Sequence, residues 1–154
     1  MDEAKEPKMI VVRGRPAPQG SKVSTRFGGI REASQFVMPW RNQIVSACIE
    51  QKINNGEIIE QPVEIFIDFL FHRPQGHYGT GKNKGNLKPS APTFPITRPT
   101  GDIDKLCRST LDGLSVPSGG ILDIHLPLVV NLRAKKSFAT KGGFQGAFIH
   151  IWQL

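Results

Sequence analysis

Apolar and polar residues alternate along the stretch 62–72. One face of this stretch carries Val63, Ile65, Ile67, Phe69 and Phe71. Alternation with a period of two is typical of a β-strand. The other face mixes Phe66 and Leu70 with polar residues, so we expect this strand inside a sheet and covered on both sides. Similar but shorter patterns predict further strands at 9–13, 126–134 and 144–152.

Two other stretches carry apolar residues every three or four positions, the spacing of an amphipathic helix. The first predicted helix covers 39–53, and its buried stripe is expected to be Trp40, Ile44, Ala47 and Cys48. The second begins at Ile103 and ends near Leu114. These elements predict an α/β fold with a mixed β-sheet of about four strands and two main helices. A chain of 154 residues is the size of one domain, so 1–154 is treated as a single domain.

Positive charge is concentrated in stretches that contain no acidic residue. The net charge is +7, and the acid-free stretches are 8–31, 73–101 and 124–154. Such blocks indicate a polyanionic partner, although a basic surface that only aids solubility is the simpler interpretation. A membrane surface is disfavoured because no basic helix with a large apolar face is present. The predicted DNA-binding residues are Arg15, Lys22, Arg26, Lys82, Lys84, Lys88, Arg98, Lys105, Lys135 and Lys136.

A long segment at about 74–100 has many prolines and no periodicity. We predict a basic, flexible loop that becomes ordered on DNA, with Tyr78 and Phe94 available to stack on unpaired bases. The sequence from Gly76 to Lys82 has the glycine and lysine spacing of a phosphate-binding loop. The next residue, Asn83, lacks the hydroxyl that would bind magnesium, and no helix follows. A nucleotide cofactor is therefore not expected.

Four aspartates follow this loop, at Asp102, Asp104, Asp112 and Asp123. Residues two apart point in different directions on a helix, so Asp102 is expected at the N-cap, in extended backbone, where its carboxylate can converge with Asp104. Asp104, Arg108 and Asp112 share one polar stripe of the helix. Clustered carboxylates beside cations indicate metal-assisted phosphodiester chemistry. Helix capping and a solvated helix face are the simpler alternative.

The pattern Asp-x-Asp-Lys-Leu-x-Arg-x-x-x-Asp-x-Leu, followed by Asp123, resembles the RusA family of Holliday junction endodeoxyribonucleases. The Gly-Arg-Pro-Ala-Pro-Gln-Gly-Ser-Lys segment at 14–22, Pro-Trp-Arg at 39–41 and His-Tyr-Gly-Thr-Gly at 77–81 resemble its phage-borne branch. The resemblance implies that Asp102, Asp104 and Asp123 bind Mg²⁺, or Mn²⁺, and that Arg108 supports catalysis. It gives Asp112 a supporting role.

The chain departs from the family pattern at two places. The family usually has Lys where Arg108 stands, and guanidinium favours forked contacts over a point charge. The family's paired Asp-Asp appears here as Leu122-Asp123, followed by Ile124. A shifted alignment would give the second position of that pair to His125 or Leu126, so His125 stays a candidate metal ligand or general base.

The resemblance implies a metal-dependent endonuclease that resolves four-way DNA junctions by paired nicks with 5′-phosphate and 3′-hydroxyl ends, in recombination, DNA repair or phage DNA processing. A homodimer is expected because the junction has twofold symmetry. The alternatives are a branched-DNA-binding protein without nuclease activity and an RNA-binding module. No apolar run of transmembrane length or signal region is present, which predicts a cytoplasmic protein. Cys48 and Cys107 lie on apolar helix faces and are expected to be reduced thiols.

Overall fold

The computed structural model describes residues 5–20, 22–24, 26, 30–32, 35–123 and 127–154. Its main elements in chain order are β1 (Lys8–Arg13), β2 (Lys22–Ser24), β3 (Ile30–Glu32), α1 (Val37–Glu50), β4 (Val63–Phe71), α2 (Ile103–Leu114), β5 (Val129–Phe138) and β6 (Gly146–Gln153). Four strands form one sheet in the order β1-β6-β4-β5, and β2 pairs with β3 separately. Strand β5 is parallel to β4, while β6 is antiparallel to β4 and β1. The sequence prediction of an α/β fold with a four-stranded mixed sheet and two helices is confirmed.

One face of the sheet forms the core together with the two helices. The odd-numbered residues of β4, from Val63 to Phe71, are buried in the same cluster as Trp40, Ile44 and Leu106. The even-numbered residues of β4 are only half-buried. The expectation that β4 is covered on both faces was therefore wrong, because both helices contribute their buried residues to the same cluster. Within the described residues, no helix is long and apolar enough to cross a bilayer.

Helices α1 and α2 pack closely against each other. The Trp40 indole Nε1 donates a hydrogen bond to Thr110 Oγ1 at 3.1 Å. Trp40 is fully buried, which confirms its predicted place in the core. Cys48 and Cys107 are free and buried, also as predicted. Burial raises the pKa of each thiol to about 11, with the Asp104 carboxylate adding to the effect at Cys107.

The ends of several elements differ from the sequence prediction. Helix α1 spans 37–50 instead of 39–53, and the chain turns at Lys52, whose φ of 50° is left-handed. Strands β5 and β6 begin later and end later than the apolar pattern indicates. The hairpin of β2 and β3 was missed because its strands are only three residues long each. Such short strands carry too few positions for a period to be detected.

The predicted loop at 74–100 contains three short 3₁₀ turns, Gln75–His77, Gly81–Asn83 and Arg98–Thr100. Its backbone also makes longer-range hydrogen bonds, from Gly79 N to Asn86 O at 2.9 Å and from Lys88 N to His77 O at 2.9 Å. The segment thus has local structure of its own. Its flexibility, and any ordering on DNA, stay predictions.

Replacing Gly120 with Ala is expected to destabilise the junction between α2 and the segment that leads to β5. A Cβ at Gly120 would overlap the carbonyl group of Leu114, which cannot move freely because its oxygen accepts hydrogen bonds from the amides of Ile121 and Leu122. We expect a loss of about 1–3 kcal/mol in the free energy of unfolding, measured by urea denaturation. Gly76→Ala is the control, because its Cβ would meet nothing within 4 Å. Equal stability of the two variants would contradict this account of the turn.

Candidate active site

The start of α2 presents Asp102 in the predicted geometry. Asp102 is the N-cap residue with φ −75° and ψ 141°, and its carbonyl oxygen accepts a hydrogen bond from Leu106 N at 3.0 Å. Its side chain makes no capping hydrogen bond and is 74% exposed. Lys105 Nζ lies 3.6 Å from Asp102 Oδ2. The carboxylate is therefore accessible to a ligand from solvent, with a cation beside it.

Asp104 lies in the first turn of α2 and is also exposed. Exposed carboxylate oxygens suit Mg²⁺, which is commonly held by one or two carboxylates together with water and substrate phosphate oxygens. Asp102 and Asp104 supply that number of carboxylates from positions two residues apart in one chain. The donor chemistry of this pair therefore fits a magnesium ion bound between protein and DNA.

Lys136 holds the loop that leads into α2. Its Nζ donates hydrogen bonds to Gly101 O at 2.6 Å and to Thr100 Oγ1 at 2.9 Å. Burial lowers the pKa of Lys136 from its ordinary value, and the Asp102 carboxylate opposes this shift. Gly101 has a φ of 82°, and a Cβ there would lie 2.5 Å from Pro18 Cγ. Lys136 on β5 and Pro18 in the first loop thus fix the backbone from which Asp102 projects.

The segment 14–20 lies along the same part of α2. Gln19 N donates to Lys105 O at 3.0 Å, and Ser109 Oγ donates to Ala17 O. Arg15 in this segment is exposed, with its guanidinium carbon 4.3 Å from the centre of the Phe36 ring. The end of this segment is therefore close to the first turns of α2. A cavity of about 580 Å³ lies between this segment, the 96–102 loop and the side chains of Lys105 and Lys136.

Asp112 has a different partner from the one expected from its helix. Its Oδ2 lies 2.9 Å from Arg41 Nη2 on α1, and the same nitrogen donates to Gln19 Oε1 at 2.7 Å. Arg108 is exposed. Asp112 therefore helps join α1, α2 and the first loop, which fits a supporting role. The pairing of Arg41 with Asp112 was not predicted from the sequence, because nothing in local spacing relates position 41 to position 112.

Asp123 lies at the opposite end of α2 from the other two acids. Its amide donates to Ile59 O at 3.1 Å, and the preceding Leu122 amide donates to Leu114 O at 2.9 Å. A helix the length of α2 is about 18 Å long at ~1.5 Å per residue. Within one chain, the structure does not bring Asp123 to Asp102 and Asp104.

Among the described residues, no three His, Cys, Asp or Glu side chains form a group that could hold a metal ion together. Asp68 of β4 and the neighbouring His72 have structural partners. Asp68 pairs with Lys135 at 3.6 Å and accepts from Ser137 Oγ, while His72 Nε2 lies 3.1 Å from Gly143 O. His125 is outside the described residues. The metal roles of the aspartates stay predictions.

Most of the predicted DNA-binding cations are on the surface. The exposed ones are Arg15, Arg26, Lys82, Lys84, Lys88, Arg98 and Lys135. Lys105 and Lys136 are half-buried beside Asp102, and Lys22 lies in β2. These cations come from separate parts of the chain, and those at the start of α2 immediately border the carboxylate pair.

No protein-family model matches the chain. A search of curated proteins likewise finds no significant match. Function must therefore be argued from the chemistry of the described site and from the sequence pattern.

Proposed function

We propose that this protein is a metal-dependent endodeoxyribonuclease with a RusA-like fold that resolves four-way DNA junctions by paired nicks. The observation that carries the proposal is the exposed carboxylate pair, Asp102 and Asp104, at the start of α2 beside Lys105 and Lys136. Carboxylates that would bind a metal thus lie next to cations that would bind phosphate. This combination is what metal-assisted cleavage of a phosphodiester requires.

In this proposal Asp102 and Asp104 bind Mg²⁺ or Mn²⁺. A metal ion held there would activate a water for attack and would neutralise charge on the scissile phosphate. Arg108 stays protonated and can contact two phosphate oxygens through its forked N–H groups. Lys136 keeps the loop before α2 in place through Gly101 and so positions Asp102. Preorganisation of this kind lowers the cost of aligning the reacting groups.

The cationic surface supports DNA as the partner. Exposed arginines and lysines release counterions from DNA when they contact phosphates, so binding should fall steeply as salt concentration rises. The cations that line the cavity beside Asp102 come from the 74–100 loop, α2 and β5, namely Arg98, Lys105 and Lys136. A cytoplasmic location and a role in recombination or repair stay predictions.

The proposal includes a homodimer, because in a dimer Asp123 of one subunit could contribute to the active site of the other. Two apolar side chains near Asp123 are solvent-exposed, Ile58 by 50% and Val116 by 37%. Ile58 adjoins Ile59, which binds the Asp123 amide, and the Val116 amide donates to Leu122 O at 2.9 Å. In a twofold interface, when one residue of the first subunit contacts a second residue of its partner, the same contact occurs with the two subunits exchanged. Asp123 of the partner subunit would then complete the site that begins with Asp102 and Asp104.

A labelled four-way junction tests the proposal directly. We expect nicked or resolved products with Mg²⁺ or Mn²⁺, none with chelator, and duplex products that DNA ligase can seal. The control is a linear duplex of the same sequence, which should stay uncut. Products that form equally with chelator would contradict metal dependence.

A branched-DNA-binding protein without nuclease activity is the second candidate. The separation of Asp123 from Asp102 and Asp104 within one chain favours it, because a single subunit then offers two carboxylates instead of three. The same gel separates the candidates. Retarded junction without any product, with either metal and at several protein concentrations, would favour the binding protein.

A further inference from the structure

A cleft lies between the 74–100 loop and the turn that joins β5 to β6. It consists of two adjoining cavities of about 430 and 540 Å³. The residues that line both cavities include Arg73, Tyr78, Gly85, Thr140 and Lys141. Pockets for small ligands occupy about 300–1,000 Å³, so the cleft has room for one nucleotide. Nothing in the proposed chemistry at the start of α2 uses it.

Aromatic rings and cations alternate on the walls of this cleft. The Arg73 guanidinium carbon lies 4.1 Å from the centre of the Phe138 ring, and its Nη1 donates to Pro92 O at 2.8 Å. Lys141 Nζ lies 5.9 Å from the centre of the half-buried Tyr78 ring. Arg73 is thus fixed by its neighbours, while Lys141 is exposed. A base can stack on an aromatic ring, and an adjacent ammonium group can bind its phosphate.

The segments that form the cleft carry positively charged residues and no acidic ones. Neither 69–101 nor 124–154 contains Asp or Glu, and these segments supply both walls. Lys84 and Lys141 are exposed on opposite sides of the opening. Among the described residues, the ion pairs of the chain involve other cations. The cleft therefore favours an anionic ligand.

Glycines border the mouth of the cleft. A Cβ at Gly81 or Gly142 would meet nothing within 4 Å, so both residues border free space. At Gly85, a Cβ would lie 2.7 Å from Lys141 Nζ, so glycine leaves room for that ammonium group. Phe138, which lines the cleft, lies about 7 Å along β5 from Lys136, at ~3.3 Å per residue, and Lys136 holds Gly101 beside Asp102. A strand bound near Asp102 is thus close to the cleft.

We propose that this cleft binds one unpaired nucleotide of the DNA substrate, with its base against Tyr78 and its phosphate between Lys84 and Lys141. This inference rests on the proposed function, which supplies DNA as the partner. It adds a preference for DNA strands that contain an unpaired base. Such a base is available where strands exchange at a branch point. Stacking is tolerant of sequence because every base has an aromatic face.

Binding in chelator to two DNAs tests the inference, namely a blunt duplex and the same duplex with one bulged thymidine. We expect the wild-type protein to prefer the bulged duplex by about tenfold, the scale of one stacked base. Tyr78→Leu should reduce this preference to near unity, and Tyr78→Phe should keep it. Lys141→Gln should weaken binding of the bulged duplex more than that of the blunt one. Lys52→Gln, an exposed lysine at the end of α1, is the matched control and should leave the ratio unchanged.

The outcomes separate this inference from the proposed function. Equal wild-type affinity for the two DNAs, or a preference that survives in both Tyr78→Leu and Lys141→Gln, overturns the nucleotide site and leaves DNA binding intact. Failure of the wild-type protein to bind either these duplexes or a four-way junction overturns the proposed function as well. Thermal unfolding of each variant shows whether a loss of DNA binding comes from misfolding. If Tyr78→Leu is misfolded, the result for Lys141→Gln decides.

Discussion

Asp104→Asn is expected to abolish cleavage of a four-way junction in Mg²⁺ while junction binding stays equal or becomes tighter. The substitution keeps the shape of the side chain but removes the charge that would bind the metal in the proposed function. Binding should be preserved because a negative charge beside phosphate is lost. Replacing a residue that only hydrogen-bonds to a metal ligand typically costs about 10–100-fold in metal affinity or activity. Losing a ligand itself should therefore reduce cleavage by more than about 100-fold.

Single-turnover cleavage of labelled junction, with binding measured in parallel in chelator, checks this prediction. Glu50→Gln is the matched control, because Glu50 is an exposed acid at the end of α1, in an element that does not carry the carboxylate pair. It should cleave like the wild-type protein. Undiminished cleavage by Asp104→Asn would remove the carboxylate pair from the proposed mechanism.

Mixing two inactive variants, Asp104→Asn and Asp123→Asn, is expected to restore nicking. If each site combines Asp104 of one subunit with Asp123 of its partner, a mixed dimer contains one intact site and one doubly substituted site. Random pairing at equal concentrations then gives about a quarter of the wild-type number of intact sites in a twofold dimer. The product should be a junction with one nick instead of two resolved duplexes, because only one site of each mixed dimer cuts.

The control for this experiment is a mixture of Asp102→Asn and Asp104→Asn. Both acids belong to the start of α2 in the same chain, so their mixed dimers contain no intact site and should stay inactive. Full activity of Asp123→Asn alone would show that two carboxylates are sufficient. Inactive mixtures of the Asp104 and Asp123 variants, after subunit exchange is verified, would overturn the shared site.

Strong local patterns were sufficient to locate the central elements. The helical spacing predicted that α2 begins at Ile103 and ends near Leu114, and the structure has Ile103–Leu114. The N-cap position of Asp102 followed from its spacing of two residues from Asp104. Alternation along 62–72 predicted β4 within one residue at each end. Both patterns arise because the backbone repeat of a helix or a strand fixes which side chains point towards the core. The general fold class followed from the order of these elements.

Contacts between distant segments were not predictable in the same way. The pairing of Arg41 with Asp112 and the attachment of Lys136 to Gly101 join residues from different elements. Their formation depends on how α1, α2 and β5 pack, which no local period encodes. The cleft beside Tyr78 likewise exists only because the 74–100 loop lies against the β5–β6 turn.

The sequence by itself determined the two helices, the main strands, the cationic blocks and the exposed acids at the start of α2. Only the tertiary structure decided that Asp123 lies at the far end of that helix. Sequence spacing gives the number of residues between two acids, while the path of the chain gives their distance. Here α2 runs between them and holds them apart, so the three aspartates that are near one another in sequence are not near one another within a single folded chain.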